Sequence, residues 1–95
     1  MPYNININDR AMRELQGIQS AKIRRQISDH IDNLEDNPRP GGCQSLQGYA
    51  ECYYRIRQGD YRIIYQIDDD TLTVSILMVG HRRNVYIRFR RRHHR

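Results

Sequence analysis

Ninety-five residues, 38% of them hydrophobic, with a net charge of +5, make one small basic globular domain and exclude a disordered chain. Fifteen of the sixteen basic residues are arginine, Lys22 being the exception, a bias that suits bidentate binding of phosphate or carboxylate. Residues 82–95 hold seven arginines and no acid, which leaves residues 1–81 at −2 and makes an extended anion such as nucleic acid the natural partner of that end.

The N-terminal MPYNININDR has no basic stretch followed by an apolar one, so no secretory signal is expected and the cytoplasm is the expected compartment. Tyr3 to Ile7 alternates apolar and polar residues as a short, half-buried strand does. Asn8 or Asp9 then caps a helix that turns Met12 and Leu15 inward and ends near Gly17. Ser20 caps a second helix, in which Ile23, Ile27, Ile31 and Leu34 form a stripe at helical spacing, and Asn37-Pro38 ends it. His30 lies beside that stripe as an ordinary boundary residue. This helix is basic at its start (Lys22, Arg24, Arg25) and acidic at its end, against the helix dipole, with an Arg25–Asp29 pair expected to offset part of the cost.

Arg39 to Tyr49, rich in glycine, reads as a loop. Strands are predicted over Cys52–Arg57 and Tyr61–Ile67, around the turn Gln58-Gly59-Asp60. Asp68-Asp69-Asp70 makes a second turn. Leu72–Val79 follows as a third strand with Leu72, Val74, Ile76 and Met78 on one face. Gly80 breaks it, and Asn84–Phe89 is predicted as a short last strand. Its longest apolar run, Ile76 to Val79, is far too short to span a bilayer. Without a secretory signal, Cys43 and Cys52 are expected as reduced thiols. The order β-α-α-β-β-β-(β) predicts an α+β fold, two N-terminal helices packed on one face of a mostly antiparallel sheet of four or five strands.

A two-residue turn at Gly59-Asp60 sets Arg57 opposite Arg62, with Arg55 on the same side. Tyr54, Ile56, Tyr61, Ile63, Tyr65 and Ile67 then take the core face, and the three arginines face solvent. Like charges directly opposite cost about 0.2–1 kcal/mol per pair, so an external anion is expected to neutralise them. The segment GHRRNVY brings His81, Arg82, Arg83 and Tyr86 to a strand end near that face. No Ser-His-Asp set, phosphate-cradling glycine loop, cysteine nucleophile or zinc spacing is evident, and no metal or cofactor is expected. A metal-independent RNase needs only a base for the ribose 2′-OH, cations for the phosphorane and a donor for the leaving 5′-oxygen. Arginines, a tyrosine and a histidine supply those roles, and the product is a 2′,3′-cyclic phosphate.

In LQGY (Leu46–Tyr49), YYRIRQGDYRIIYQI (Tyr53–Ile67) and VGHRRNVY (Val79–Tyr86) the sequence resembles the RelE/ParE superfamily of bacterial toxins, over residues 1–89 as a single domain. Residues 90–95 form an Arg/His-rich tail outside it. The resemblance implies an mRNA interferase, the toxin of a type II toxin–antitoxin system, cutting mRNA in the ribosomal A site. It implies an active set of Arg55, Arg57, Arg62, Arg82 and Tyr86. Here Tyr86 is the general base, Arg62 and Arg55 hold the scissile phosphate, and Arg57 acts likewise or orients Tyr86; Arg83 joins Arg82 in binding RNA. The acid is His81 if its ring points into the site, or Arg82 acting through water if it points away. Arg55 and Arg57 stand where members often carry lysine. The implied partners are a RelB-like antitoxin covering or distorting the basic site, the 70S ribosome with its mRNA, and operator DNA through the antitoxin complex alone. ParE-type relatives share the hairpin but act on DNA gyrase by binding, which is the alternative reading. A basic binding module without toxicity is the third.

Overall fold

A computed structural model describes residues 2–93. Strand β1 (Asn4–Ile7) leads into helix α1 (Asp9–Gln16), and Asn8 makes the junction. Its Oδ1 accepts the Ala11 N–H at 2.7 Å, satisfying a donor that the first helical turn leaves over. Its Nδ2 donates to the Leu77 carbonyl, fastening the helix start to the sheet. Ala11 and Leu15 are the buried residues of α1, whereas Met12, expected inward, is half-buried. Ser20 caps α2 (Ala21–Asn33) through the Ile23 N–H. Ile27, Ile31 and Leu34 are buried and Ile23 packs against them, as the spacing predicts. The expected Arg25–Asp29 pair is absent from the three ion pairs among the described residues. Instead, Arg24 in the first turn of α2 donates to the Ile18 and Gln19 carbonyls just before it.

The sheet has five strands in the order β1-β5-β4-β3-β2. β2 is the two-residue Gln44–Ser45, inside the stretch read as loop; β3 is Tyr54–Gln58, β4 Tyr61–Asp68 and β5 Thr73–His81. Only β1 and β5 run parallel. Gln58 faces Tyr61 and Arg57 faces Arg62, so the hairpin has the predicted two-residue loop. Gly59 comes first in it with φ +58°, as a primed turn requires and glycine adopts without strain. Ile56, Ile63, Tyr65, Val74 and Ile76 pack against α1 and α2 on one face. The buried Tyr65 hydroxyl donates to the Pro38 carbonyl at 2.8 Å, and burial raises its pKa well above the usual phenol range.

The other face departs from expectation. Ile64 pairs with Met78, but Tyr65 pairs with Ile76, so Leu77 is an extra residue, a β-bulge. Past the bulge the alternation inverts. Val79 joins the first core, while Met78, expected on the same face as Val74 and Ile76, turns to the second. Leu72, expected in the strand, lies in the preceding turn with φ +52°. Residues 84–89, expected as a strand, enter helix α3 (Val85–Arg92). Val85 and Phe89, one helical turn apart, meet Tyr53, Ile64 and Met78 in a second core. Ile64 and Met78 would have stood in water on that face, and burying them is what favours a helix there over an edge strand. α3 runs three residues past position 89, where the domain was expected to end; His94 and Arg95 lie outside the described residues.

Two residues seat α3. Gly80, expected to break β5, is paired within it, opposite Arg62. A Cβ there would lie 3.2 Å from Val85 Cγ2 and run into the Arg88 guanidinium, so the helix approaches as closely as it does because position 80 is glycine. Glu14 of α1 accepts the Val79 N–H at 3.1 Å beyond the end of β1 pairing, and its other oxygen binds Arg88. One carboxylate thus satisfies an otherwise unpaired strand edge and holds the helix across it. Tyr49, Tyr53 and Phe89 close the far end with edge-on ring contacts at 4.9–5.5 Å.

Candidate active site

Strand pairing lays out the second face in rows. Arg55, Ile64 and Met78 form one, and Arg57, Arg62 and Gly80 the next, at the hairpin end. The three arginines share this face, as the turn predicts, but they do not all stand in solvent. Arg57 is exposed, Arg55 half-buried, and Arg62 only 8% exposed. The Arg62 guanidinium folds back on its own turn, donating from Nη1 to the Gly59 and Tyr61 carbonyls at 2.9 and 2.8 Å. Gly80 across the ladder has no side chain to compete for its space. Arg55 donates to the Gln44 side-chain oxygen on β2.

None of these partners is charged. Among the described residues, the ion pairs are Arg39–Asp69, Arg82–Asp60 and Arg88–Glu14, so Arg55, Arg57 and Arg62 have no carboxylate. Neutral oxygens orient two of these guanidiniums without cancelling their charge. The result is a fixed positive row, which can hold a phosphate and stabilise charge that builds on it.

The turn after β5 joins the same end of the sheet. The Arg82 N–H donates to the Asp60 carbonyl at 2.7 Å, and its Nε lies 3.4 Å from the Asp60 carboxylate, tying this turn to the hairpin turn. Arg83 is exposed beside it. Tyr86 reaches the arginine face from the first turn of α3 rather than from a strand. It is half-buried against the second core, next to Val85, which lies over Gly80, the cross-strand partner of Arg62.

His81 is separated from the group. It pairs with Tyr61, whose side chain belongs to the first core, and the two rings meet edge-on at 5.6 Å. Alternation therefore puts it on the face opposite Arg57 and Arg62. Its Nδ1 accepts the Arg83 N–H at 3.2 Å, which leaves the neutral ring's proton on Nε2. His81 therefore points away from the arginine row.

Sequence reasoning missed Gln44, which orients Arg55, and Glu14, which holds α3 in place. Neither carries a local signal, since each acts on a residue far away in sequence. The helical spacing of Val85 and Phe89 after Asn84 was a signal that the strand reading passed over. Tyr53, within the second core, is no candidate base: burial first, then its bond to Glu51, push its pKa up to about 12. Cys43 and Cys52 are free thiols. Among the described residues no trio of His, Cys, Asp or Glu could hold a metal ion, and no helix is long and apolar enough to cross a membrane.

Comparison with known proteins gives a consistent picture. A family model described as "ParE toxin of type II toxin-antitoxin system, parDE" matches residues 5–86. Toxin RelG of Mycobacterium tuberculosis is 31% identical over 88 residues, covering 93% of this chain and all of the relative. The mRNA interferase toxin RelE of Escherichia coli K12 is 29% identical over 83 residues, covering 86% of this chain and 85% of the relative. Among solved structures, the archaeal RelE-RelB complex from Pyrococcus horikoshii superposes with a TM-score of 0.75 at 29% identity, over 86% of this chain and 97% of that one.

Proposed function

From the premise that the chain belongs to the ParE toxin family of type II toxin–antitoxin systems, we propose that it is a ribosome-dependent endoribonuclease that cuts mRNA in the A site without a metal ion. The single observation that carries the reading is the row of Arg55, Arg57 and Arg62, left without a carboxylate and with Arg55 and Arg62 oriented by neutral oxygens, on the face that also receives Tyr86. Tyr86 Oη takes the proton of the ribose 2′-OH, whose oxygen attacks the adjacent phosphorus. Arg62 and Arg55 hold the non-bridging oxygens and stabilise the phosphorane, and Arg57 adds to the field or orients Tyr86. Arg82 passes a proton through water to the departing 5′-oxygen, while Arg83 contacts the RNA backbone. The products are a 2′,3′-cyclic phosphate and a 5′-hydroxyl, and DNA is inert because it lacks the nucleophile.

The partner of the same surface is a RelB-like antitoxin in the cytoplasm, since an acidic segment that folds on binding complements the unpaired arginines. Operator DNA is reached only through that complex. The names of the E. coli relative and of the archaeal complex support the reading. Mapping mRNA 5′ ends on programmed ribosomes tests it, with wild type and Tyr86→Phe compared. Cuts at the A-site codon by wild type alone are expected. Intact message with both overturns the reading. The family description favours one alternative, inhibition of DNA gyrase by binding; in that case a supercoiling assay responds to wild type and to Tyr86→Phe equally.

A further inference from the structure

One pocket next to the arginine row has no part in the mechanism above. β2 pairs with β3 only at Gln44–Arg55 and Ser45–Tyr54. Continued by two residues, the same register would set Gly42 against Arg57. Instead the Cys43 N–H turns back to the Pro40 carbonyl at 3.1 Å and Gly42 takes φ +90°, so the chain leaves the sheet. The outer edge of β3 stays open at Ile56 and Arg57. A pocket of about 490 Å³ fills the gap, bounded on its far side by His30 and Asn33 of α2. That volume lies in the range of sites that enclose a small organic group.

The lining suits a nucleotide. Arg55 and Arg57 contribute to it as they do to the arginine row, and no carboxylate lines it. Asn33 and Gln44 offer amides, and the buried Ile56 closes the pocket toward the core. His30 is held in one orientation. Gln58 Nε2 donates to Gln26 Oε1 at 3.1 Å, which turns Gln58 Oε1 toward His30 Nε2 at 2.6 Å. In the neutral ring Nε2 therefore carries the proton, and Nδ1 is left to accept from the N–H edge of a base. The open edge spans only two residues, too short for an added strand of a partner protein, which favours RNA over a peptide.

We propose that this pocket is a nucleotide subsite. It takes the mRNA nucleotide next to the cut, with its phosphate on Arg55 and Arg57 and its base against His30 and Asn33. The inference rests on the ribonuclease reading and adds to it a determinant of which sequences are cut.

The test is NMR on the full-length 15N-labelled protein, titrated with a 2′-O-methyl hexaribonucleotide that cannot be cleaved. The Gly41, Gly42 and Gln44 amides are expected to shift together with that of Arg62. Gly41→Leu is the blocking variant, because a Cβ at Gly41 meets nothing within 4 Å and the residue is not in the left-handed region. It is expected to weaken binding about tenfold, through loss of a stacked or edge-bonded base. His30→Ala is expected to flatten the base preference beside the cut on programmed ribosomes while cutting continues. Shifts confined to Arg62 and Tyr86 overturn the subsite and leave the ribonuclease reading standing. No shift anywhere at millimolar RNA overturns the subsite, and the ribonuclease reading is then decided by the A-site assay alone. Shifts at Gly41–Gln44 with an acidic peptide but not with RNA make the pocket a protein interface and overturn the proposal.

Discussion

Gly80→Ala probes the seating of α3 with a single methyl group. The new Cβ would sit 3.2–3.3 Å from Val85 Cγ2 and Cβ, tighter than ordinary contact, and on top of the Arg88 guanidinium. Arg88 can swing aside, but it then leaves Glu14, a partly exposed pair worth roughly 0.3–1 kcal/mol. Val85 is fully buried and cannot yield without lifting the first turn of the helix, at the low end of the overpacking cost, about 1 kcal/mol. Together these give a destabilisation of about 1–2 kcal/mol, which lowers Tm by roughly 5–15 °C in a domain of this size. The helix carries Tyr86 one residue beyond Val85, so lifting it also moves the proposed base. A displacement of about 1 Å at a reacting group costs up to roughly a hundredfold in rate. Thermal unfolding followed by circular dichroism and the A-site cleavage assay read the two effects separately. An unchanged Tm would refute the close-approach argument for Gly80. A lowered Tm with full cleavage activity would refute the link from α3 to the chemistry.

Other variants test other parts of the structure. Tyr65→Phe removes a buried bond to the Pro38 carbonyl and leaves that acceptor unpaired, so urea denaturation is expected to show a loss of about 1–2 kcal/mol. His93 stacks on Phe89 at 4.3 Å, and burial, then the Arg92 cation, hold its pKa below the ordinary value. The folded state therefore favours the neutral ring; this contribution is complete above about pH 6.5 and is lost as pH falls through the lowered folded value. Amide exchange in α3 is expected to quicken at pH 5.5, beyond the intrinsic change, in wild type but not in His93→Phe. Arg57→Gln removes a like charge facing Arg62 and is expected to raise stability by about 0.2–1 kcal/mol while reducing cleavage; a variant both less stable and fully active would contradict the role given to the row.

The parts of this fold legible in the sequence are those specified locally. Asn8 and Ser20 cap helices because their side chains reach donors three residues on, and Gly59 sets a two-residue turn whose register then fixes Arg57 against Arg62. The arginine face follows from that register and from alternation alone. The bulge at Leu77 does not, since an unbroken apolar run, Ile76 to Val79, offers no marker for where the alternation inverts. The misreadings of Met78 and of residues 84–89 descend from it: Met78 is on the unexpected face, that face is apolar enough to need a cover, and the cover is a helix. Tyr86 was singled out from the sequence, but the helix that carries it was read as a strand. His81 was ambiguous because its face depends on the same inverted register, and Arg62 was expected in solvent because no local rule says that its head turns back onto the Gly59 and Tyr61 carbonyls.

That folded-back arginine explains how the hairpin tolerates its own charge. The chain has eleven acids, so a shortage of carboxylates does not leave Arg62 unpaired. The acid in its own turn, Asp60, is engaged by Arg82 instead. A carboxylate on Arg62 would have stabilised the hairpin and neutralised the row. Carbonyls accept from its Nη1, avoiding the penalty of leaving that group unbonded, yet contribute no opposing unit charge. The guanidinium is thereby fixed in place before any anion arrives, and little reorganisation is needed when charge develops on a bound phosphate. The repulsion between Arg57 and Arg62 and the capacity to stabilise a phosphorane are the same field acting on different charges, so relieving the first is expected to diminish the second.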